Sequence, residues 1–191
     1  MTKEEALEHR WKEIQDALPG KKLVFGEGWV NARLAIVGEA PGREEEKFGR
    51  PFVGSAGLLL NQLLREADLR RQDVWITNVV KWWPTQGGVG FLTRAPTAKE
   101  VQEGTEWLKR ELEIIGCSLV LALGNTAART LVDKNFKMTQ QHGQWYPGKW
   151  GQQVLVTFHP AYVLRQLGDD REKVMRLIRT DMQKLKEKYA A

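Results

Sequence analysis

Leu34-Ala35-Ile36-Val37-Gly38-Glu39-Ala40-Pro41-Gly42 is the stretch on which the fold class turns. Its four leading apolar residues read as a short buried strand, and the glycines and proline after them close it in a turn that carries one carboxylate. Three further stretches have the same character: Val74 to Val80, Leu119 to Leu123 and Val154 to Phe158. Helical patterns separate them. Ala56 to Ala67 is dense in leucine. Thr97-Ala98-Lys99-Glu100 is a capping-box pattern that opens a helix through about Ile115, and Thr126 to Val132 reads as a short helix. Strand and helix alternating in this way specify an α/β protein with a short, parallel, four-stranded sheet flanked by helices on both faces. No internal repeat or linker breaks the pattern, so residues 1–191 are expected to form a single domain. Trp82 to Arg94 is the least regular segment, and its glycines Gly87, Gly88 and Gly90 suggest a mobile surface loop.

Composition removes several classes. A chain of 191 residues with one cysteine, Cys117, has neither a disulfide framework nor a cysteine-rich zinc site. Cys117 precedes an apolar run and reads as a structural thiol. Eight tryptophans are heavy usage, because each brings a large apolar surface and an N–H that needs a partner. No segment resembles a signal peptide or a membrane-spanning helix, so a soluble, cytoplasmic protein is expected. The formal charge is +5. Much of it sits between Arg171 and Lys188, which reads either as a nucleic-acid-facing helix or as an amphipathic helix docked by Val174, Leu177, Ile178 and Met182.

In sheets of this kind ligands bind beyond the carboxyl ends of the strands. The first strand runs into Glu39, the second carries Asn78 near its end, the third ends in Gly124-Asn125 and the fourth runs into His159-Pro160. Each has a structural alternative: Glu39 as a helix cap, Asn78 as a satisfied interior amide, His159 as a turn residue. Phe52, in Gly49-Arg50-Pro51-Phe52-Val53-Gly54, is either core filler or an exposed stacking surface. Together the four suit one task. A flat heterocycle stacks on Phe52, shows its imide edge to the Asn78 carboxamide, which can both donate and accept, and offers a carbonyl to His159. A donor at that carbonyl stabilises charge on a departing base, which is the chemistry of breaking an N-glycosidic bond.

Gly38 to Gly42, Gly49 to Gly57, Thr77-Asn78-Val79-Val80-Lys81 and His159 to Arg165, with Val24 to Gly28 and Gly143 to Tyr146, resemble the family 4 uracil-DNA glycosylases over about residues 21 to 166. The resemblance implies that Glu39 and Ala40 line a uracil pocket, Phe52 stacks on the flipped base, Asn78 reads its imide edge and His159 contacts O2, with Glu39, Asn78 and His159 as the catalytic set. It implies excision of uracil from DNA, leaving an abasic site; a monomer without a cofactor is expected. Arg50, Lys81 and Arg165 are expected to grip phosphates, and Tyr162, Val163 and Leu164 to fill the gap left by the extruded base.

Three departures qualify the resemblance. Family 4 members hold a 4Fe-4S cluster on four cysteines, and the matching positions here are Trp11, Ile14, Trp82 and Gly104. No metal is expected, and the three bulky apolar residues are expected to fill the space, at about 25 cal/mol per Å² of buried apolar area. Ala40 stands where family 1 enzymes orient water with an aspartate, leaving Glu39 and Glu45 as candidates for that task. Gly42 replaces the family 1 tyrosine that blocks thymine. The segment 82–94 is longer than usual and contains no histidine, so covalent capture of the kind seen in a related branch is not expected; Phe91 and Leu92 are candidate DNA probes. Two rival readings are a glycosylase for another deaminated base and an inactive module that binds damaged DNA.

Overall fold

A computed structural model describes residues 1–86 and 92–191. The elements run in the order α1 (Lys3–Ala17), β1 (Glu27–Gly28), β2 (Leu34–Gly38), α2 (Arg43–Phe48), α3 (Ser55–Glu66), a 3-10 turn (Arg71–Asp73), β3 (Trp75–Asn78), β4 (Thr85–Gln86), β5 (Leu92–Thr93), α4 (Ala98–Ile115), β6 (Leu119–Leu123), α5 (Gly124–Leu131), α6 (Met138–Gln141), β7 (Trp145–Pro147), β8 (Gln153–Thr157), α7 (Pro160–Leu164) and α8 (Gly168–Ala190). The main sheet has strand order β1-β3-β2-β6-β8-β7. Its centre consists of the four strands read from the sequence, all parallel. The sheet has six strands rather than four, because β1 and β7 add antiparallel edges. Neither edge strand carries an apolar run. One is Glu27–Gly28, and the other ends in Pro147, a residue tolerated at a sheet edge because it has no ladder donor to lose.

Every residue of β2, β3 and β6 is buried, which requires cover on both faces of the sheet and accounts for the unbroken apolar runs. One core cluster extends from Leu7 in α1 to Leu185 in α8. Thr97 caps α4 through the expected box, its hydroxyl accepting from the Glu100 amide while the Glu100 carboxylate accepts from the Thr97 amide. In α8, Val174, Ile178 and Met182 are buried and Leu177 packs against them, which supports the docked-helix reading.

Connections leave β2 in opposite directions: the chain goes first to β3 on one side, then to β6 on the other. Such a switch point opens a crevice beyond the carboxyl ends of β2 and β6. Segment 82–94 is partly regular, since β4 pairs with β5 in a two-stranded ribbon. The glycines expected to make it mobile, and Phe91, lie outside the described residues.

Candidate active site

A cavity of about 450 Å³ occupies the crevice, and its lining includes Glu39, Ala40, Phe52, Asn78, His159 and Arg165. The carboxyl ends of β2, β3 and β8, with the loop between α2 and α3, therefore deliver the residues that the sequence singled out to one place.

Asn78 is the last residue of β3, paired in register with Gly38. It is buried, and its Oδ1 has no hydrogen-bond partner. A buried amide oxygen without a donor costs on the order of 1–3 kcal/mol, and on a cavity wall it is an acceptor waiting for a ligand N–H. Gly38 makes this arrangement possible, because a Cβ there would overlap both Asn78 Oδ1 and the Phe52 ring. Phe52 is buried and has φ +52°, a left-handed backbone unusual for an aromatic residue. Its loop is clamped from outside: Arg71 donates to the Phe52 carbonyl at 3.2 Å and to the Pro51 carbonyl at 2.7 Å. From inside, Glu45 accepts from the amides of Val53 (2.9 Å), Gly54 (2.7 Å) and Gly42 (3.1 Å). Glu45 is thus a staple between the two glycine-rich loops, with Oε1 accepting two backbone N–H groups and Oε2 one. Glu39 is half-buried on the cavity wall, where its carboxylate accepts from the Thr126 hydroxyl in the first turn of α5, across the switch point.

His159 caps the N-terminus of α7, its Nδ1 accepting from the Ala161 amide at 3.1 Å. An accepting Nδ1 carries no proton, so the neutral ring has its N–H at Nε2. Burial and the nearby Arg165 push the imidazole down to about 4, against a smaller opposing pull from Glu45. The histidine is neutral near pH 7 and available as a donor. Its ring packs against Phe52 with centroids 5.7 Å apart.

The outer ring of expected DNA contacts divides. Tyr162 and Leu164 are exposed, and Tyr162 and Arg165 border the cavity. Val163 is fully buried: in a helical turn successive side chains point about 100° apart, and Val163 is the one turned into the core, so it is no wedge. Arg50 lies away from the cavity, beside a second concavity of about 920 Å³, and is engaged by Glu27 at 2.7 and 3.2 Å. Lys81 is buried. Its Nζ donates to Glu111 Oε2 at 2.5 Å, to Thr77 Oγ1 at 2.7 Å and to the Asn78 carbonyl at 2.7 Å, so it cannot reach a phosphate. Glu111, in α4, also accepts from Trp75 Nε1 at 3.1 Å. The only trace of this network in the sequence is an acidic residue at an inward position of α4. A second buried cluster leaves no more trace: Asp181 accepts from Thr157 at 2.6 Å and faces His142 Nδ1 at 3.1 Å.

The positions matching the family's cluster cysteines do not fit an iron-sulfur group. Trp11 stacks on Phe25 with centroids 5.0 Å apart, Ile14 is buried, and buried Trp82 donates from Nε1 to Glu100 at 3.3 Å beneath the Lys21 ammonium. At Gly104 a Cβ would overlap the Val79 carbonyl, so α4 lies directly against the end of β3. Cys117, the one thiol of the chain, is buried and its pKa is pushed up to about 11 by that burial. No group of three or more metal-ligating side chains occurs among the described residues.

A family model, the uracil DNA glycosylase superfamily, matches residues 25–183. The chain is 41% identical to the type-4 uracil-DNA glycosylase of Thermotoga maritima over 165 residues, covering 86% of this chain and 81% of that one. It is 41% identical to the type-4 enzyme of Archaeoglobus fulgidus, covering 74% and 71%, and 39% identical to that of Pyrobaculum aerophilum, covering 76% and 75%. A match across nearly the whole sheet, with the polar residues gathered at its switch point, places the chain in the uracil-DNA glycosylase superfamily.

Proposed function

We propose that the protein excises uracil from DNA by hydrolysing the N-glycosidic bond, leaving an abasic site. The observation that carries this reading is the unpartnered Asn78 Oδ1, buried on a wall it shares with Phe52 and a neutral His159. An amide oxygen accepts the ring N3–H of uracil, and the amide nitrogen donates to an adjacent carbonyl; cytosine lacks that N–H. Phe52 offers a face for the base, and Ala40 leaves room beside it. As the C1′–N1 bond breaks, its electron pair passes into the base, and His159 Nε2–H donates to O2, where the negative charge accumulates. Water adds to C1′, and the proton it loses passes through solvent to the departing uracil anion, giving neutral uracil and a C1′ hydroxyl; we assign the orientation of that water to Glu39, the half-buried carboxylate held by Thr126. Tyr162, Leu164 and Arg165 border the opening and are proposed to contact the DNA. We take a monomer as the working form. No helix among the described residues is long and apolar enough to cross a membrane, and we take the cytoplasm as the place of action.

The test is incubation with single- and double-stranded oligonucleotides carrying one uracil, followed by alkaline cleavage. Scission is expected with the wild type and a loss of at least about 100-fold in Asn78→Ala and His159→Ala, the size typical of removing a preorganised donor. No scission by the wild type on either substrate would leave the binding module. Scission at hypoxanthine or xanthine but not uracil would move the assignment to another base.

A further inference from the structure

Lys81 and Glu111 form an ion pair whose side chains are 1% and 6% exposed, directly behind the cavity. Burying two charges costs several kcal/mol, and apolar residues of similar size generally serve stability as well or better, so the pair calls for a geometric reason. Its geometry supplies one. An ammonium has three N–H donors, and each here meets a different acceptor: Glu111, Thr77 and the carbonyl of Asn78. Thr77 and Trp75 lie on the same face of β3, and both donate to Glu111, which fixes the carboxylate that fixes the lysine. Asn78 points its side chain to the opposite face. The network therefore reaches Asn78 only through its backbone, at the last register pair of β3, where the chain turns away and the next two amides, Val79 and Val80, bond back to Gly38 and Glu39.

We propose that Lys81, anchored by Glu111, is the positioning residue for the Asn78 carboxamide. By holding the Asn78 carbonyl it sets the backbone from which the amide projects into the cavity, and so sets the alignment of Oδ1 with the base. The proposal rests on the uracil reading of the site. It assigns the lysine of the asparagine motif to the interior of the machinery, without contact to DNA or base.

The test compares wild type with Lys81→Met and with the double variant Lys81→Met/Glu111→Gln, in which no unpaired buried charge remains and the amide introduced in α4 can still accept from Trp75. Two constants are measured: inhibition by free uracil, and affinity for an oligonucleotide carrying a tetrahydrofuran abasic-site analogue. Both are properties of the folded molecules, so partial unfolding leaves them readable. The uracil inhibition constant is expected to rise about tenfold or more, as for one weakened hydrogen bond to a bound ligand, and abasic-site affinity to stay within about twofold. A role limited to stability would lower the melting temperature and leave the uracil constant unchanged in the double variant, which would overturn the proposal; so would a parallel loss of abasic-site affinity. If the wild type fails to excise uracil, the reading of the site fails; if it excises uracil and the variant binds uracil normally, only the positioning role fails.

Discussion

His159 ties its tautomer to its backbone position: the Nδ1 that caps α7 cannot also hold a proton, so the proton of the neutral ring sits on Nε2. Its depressed pKa has a signed consequence. The unfolded ring binds a proton near 6.5 and the folded one only near 4, so as pH falls through that window the unfolded state takes up the proton and the fold loses stability. Wild type is expected to lose melting temperature between about pH 6.5 and pH 4, and His159→Ala to lose less over the same range, in thermal scans at constant ionic strength. Excision should show no loss of rate through pH 6.5 attributable to this histidine. Glu39, Asn78 and His159 are legible in the sequence because each sits at or just past the end of an apolar strand, where a parallel sheet gathers ligand-binding groups, and Phe52 because a large aromatic stands in a glycine-flanked loop. Lys81 is not. A lysine at a strand end reads as a surface cation, and the carboxylate that draws it inward stands 30 residues away in another element.

Among the elements, the centre of the sheet and the helices α3, α4 and α5 follow from apolar periodicity and caps, with shifts of a residue or two at their ends. The edge strands β1 and β7 do not, since two or three residues with no apolar run are shaped by the neighbour they pair with rather than by their own pattern. The tryptophan plug is legible as a substitution but not in its bonding. Trp82 joins the Leu23 backbone, the Lys21 ammonium and Glu100, and Glu100 in turn holds Arg94 at 2.7 and 2.9 Å. Trp82→Ala should cost about 3–5 kcal/mol, the range for emptying a large aromatic site, and Trp11→Ala less because its ring is half-buried. Denaturant titration with a constant m-value measures both. Unchanged midpoints in the two variants would mean the plug does not support the N-terminal segment. The Trp11→Cys and Trp82→Cys variants should bind no iron, since two thiols do not complete a four-ligand site.

For the whole molecule, the excess of basic charge proves less available than its placement in the sequence suggests. Within α8, Arg179 is held by Glu66, Lys186 by Asp68 and Lys184 by the Gly143 carbonyl, and Lys188 lies over the Trp145 ring. These four fasten the helix to the body. Arg171, Lys173 and Arg176 of the same helix are exposed and outside these contacts, so salt dependence is the measurement that sorts engaged cations from those that meet DNA. Arg165→Gln is expected to reduce the slope of log affinity against log salt by about one, and Lys186→Gln to leave it nearly unchanged, in fluorescence-anisotropy titrations. Charge in a sequence reports how much is present; which part faces outward depends on carboxylates that only the fold brings near. The contact at Gly104 depends on the fold in the same way. With α4 resting on the Val79 carbonyl, a cysteine there would have to push a helix off a strand end before it could ligate anything, and the other three ligands would bring no benefit until it had. Gly104→Cys is therefore a step that strains this packing and gains no ligand set to offset the strain, so the seat of a fourth thiolate is closed by backbone rather than by a side chain.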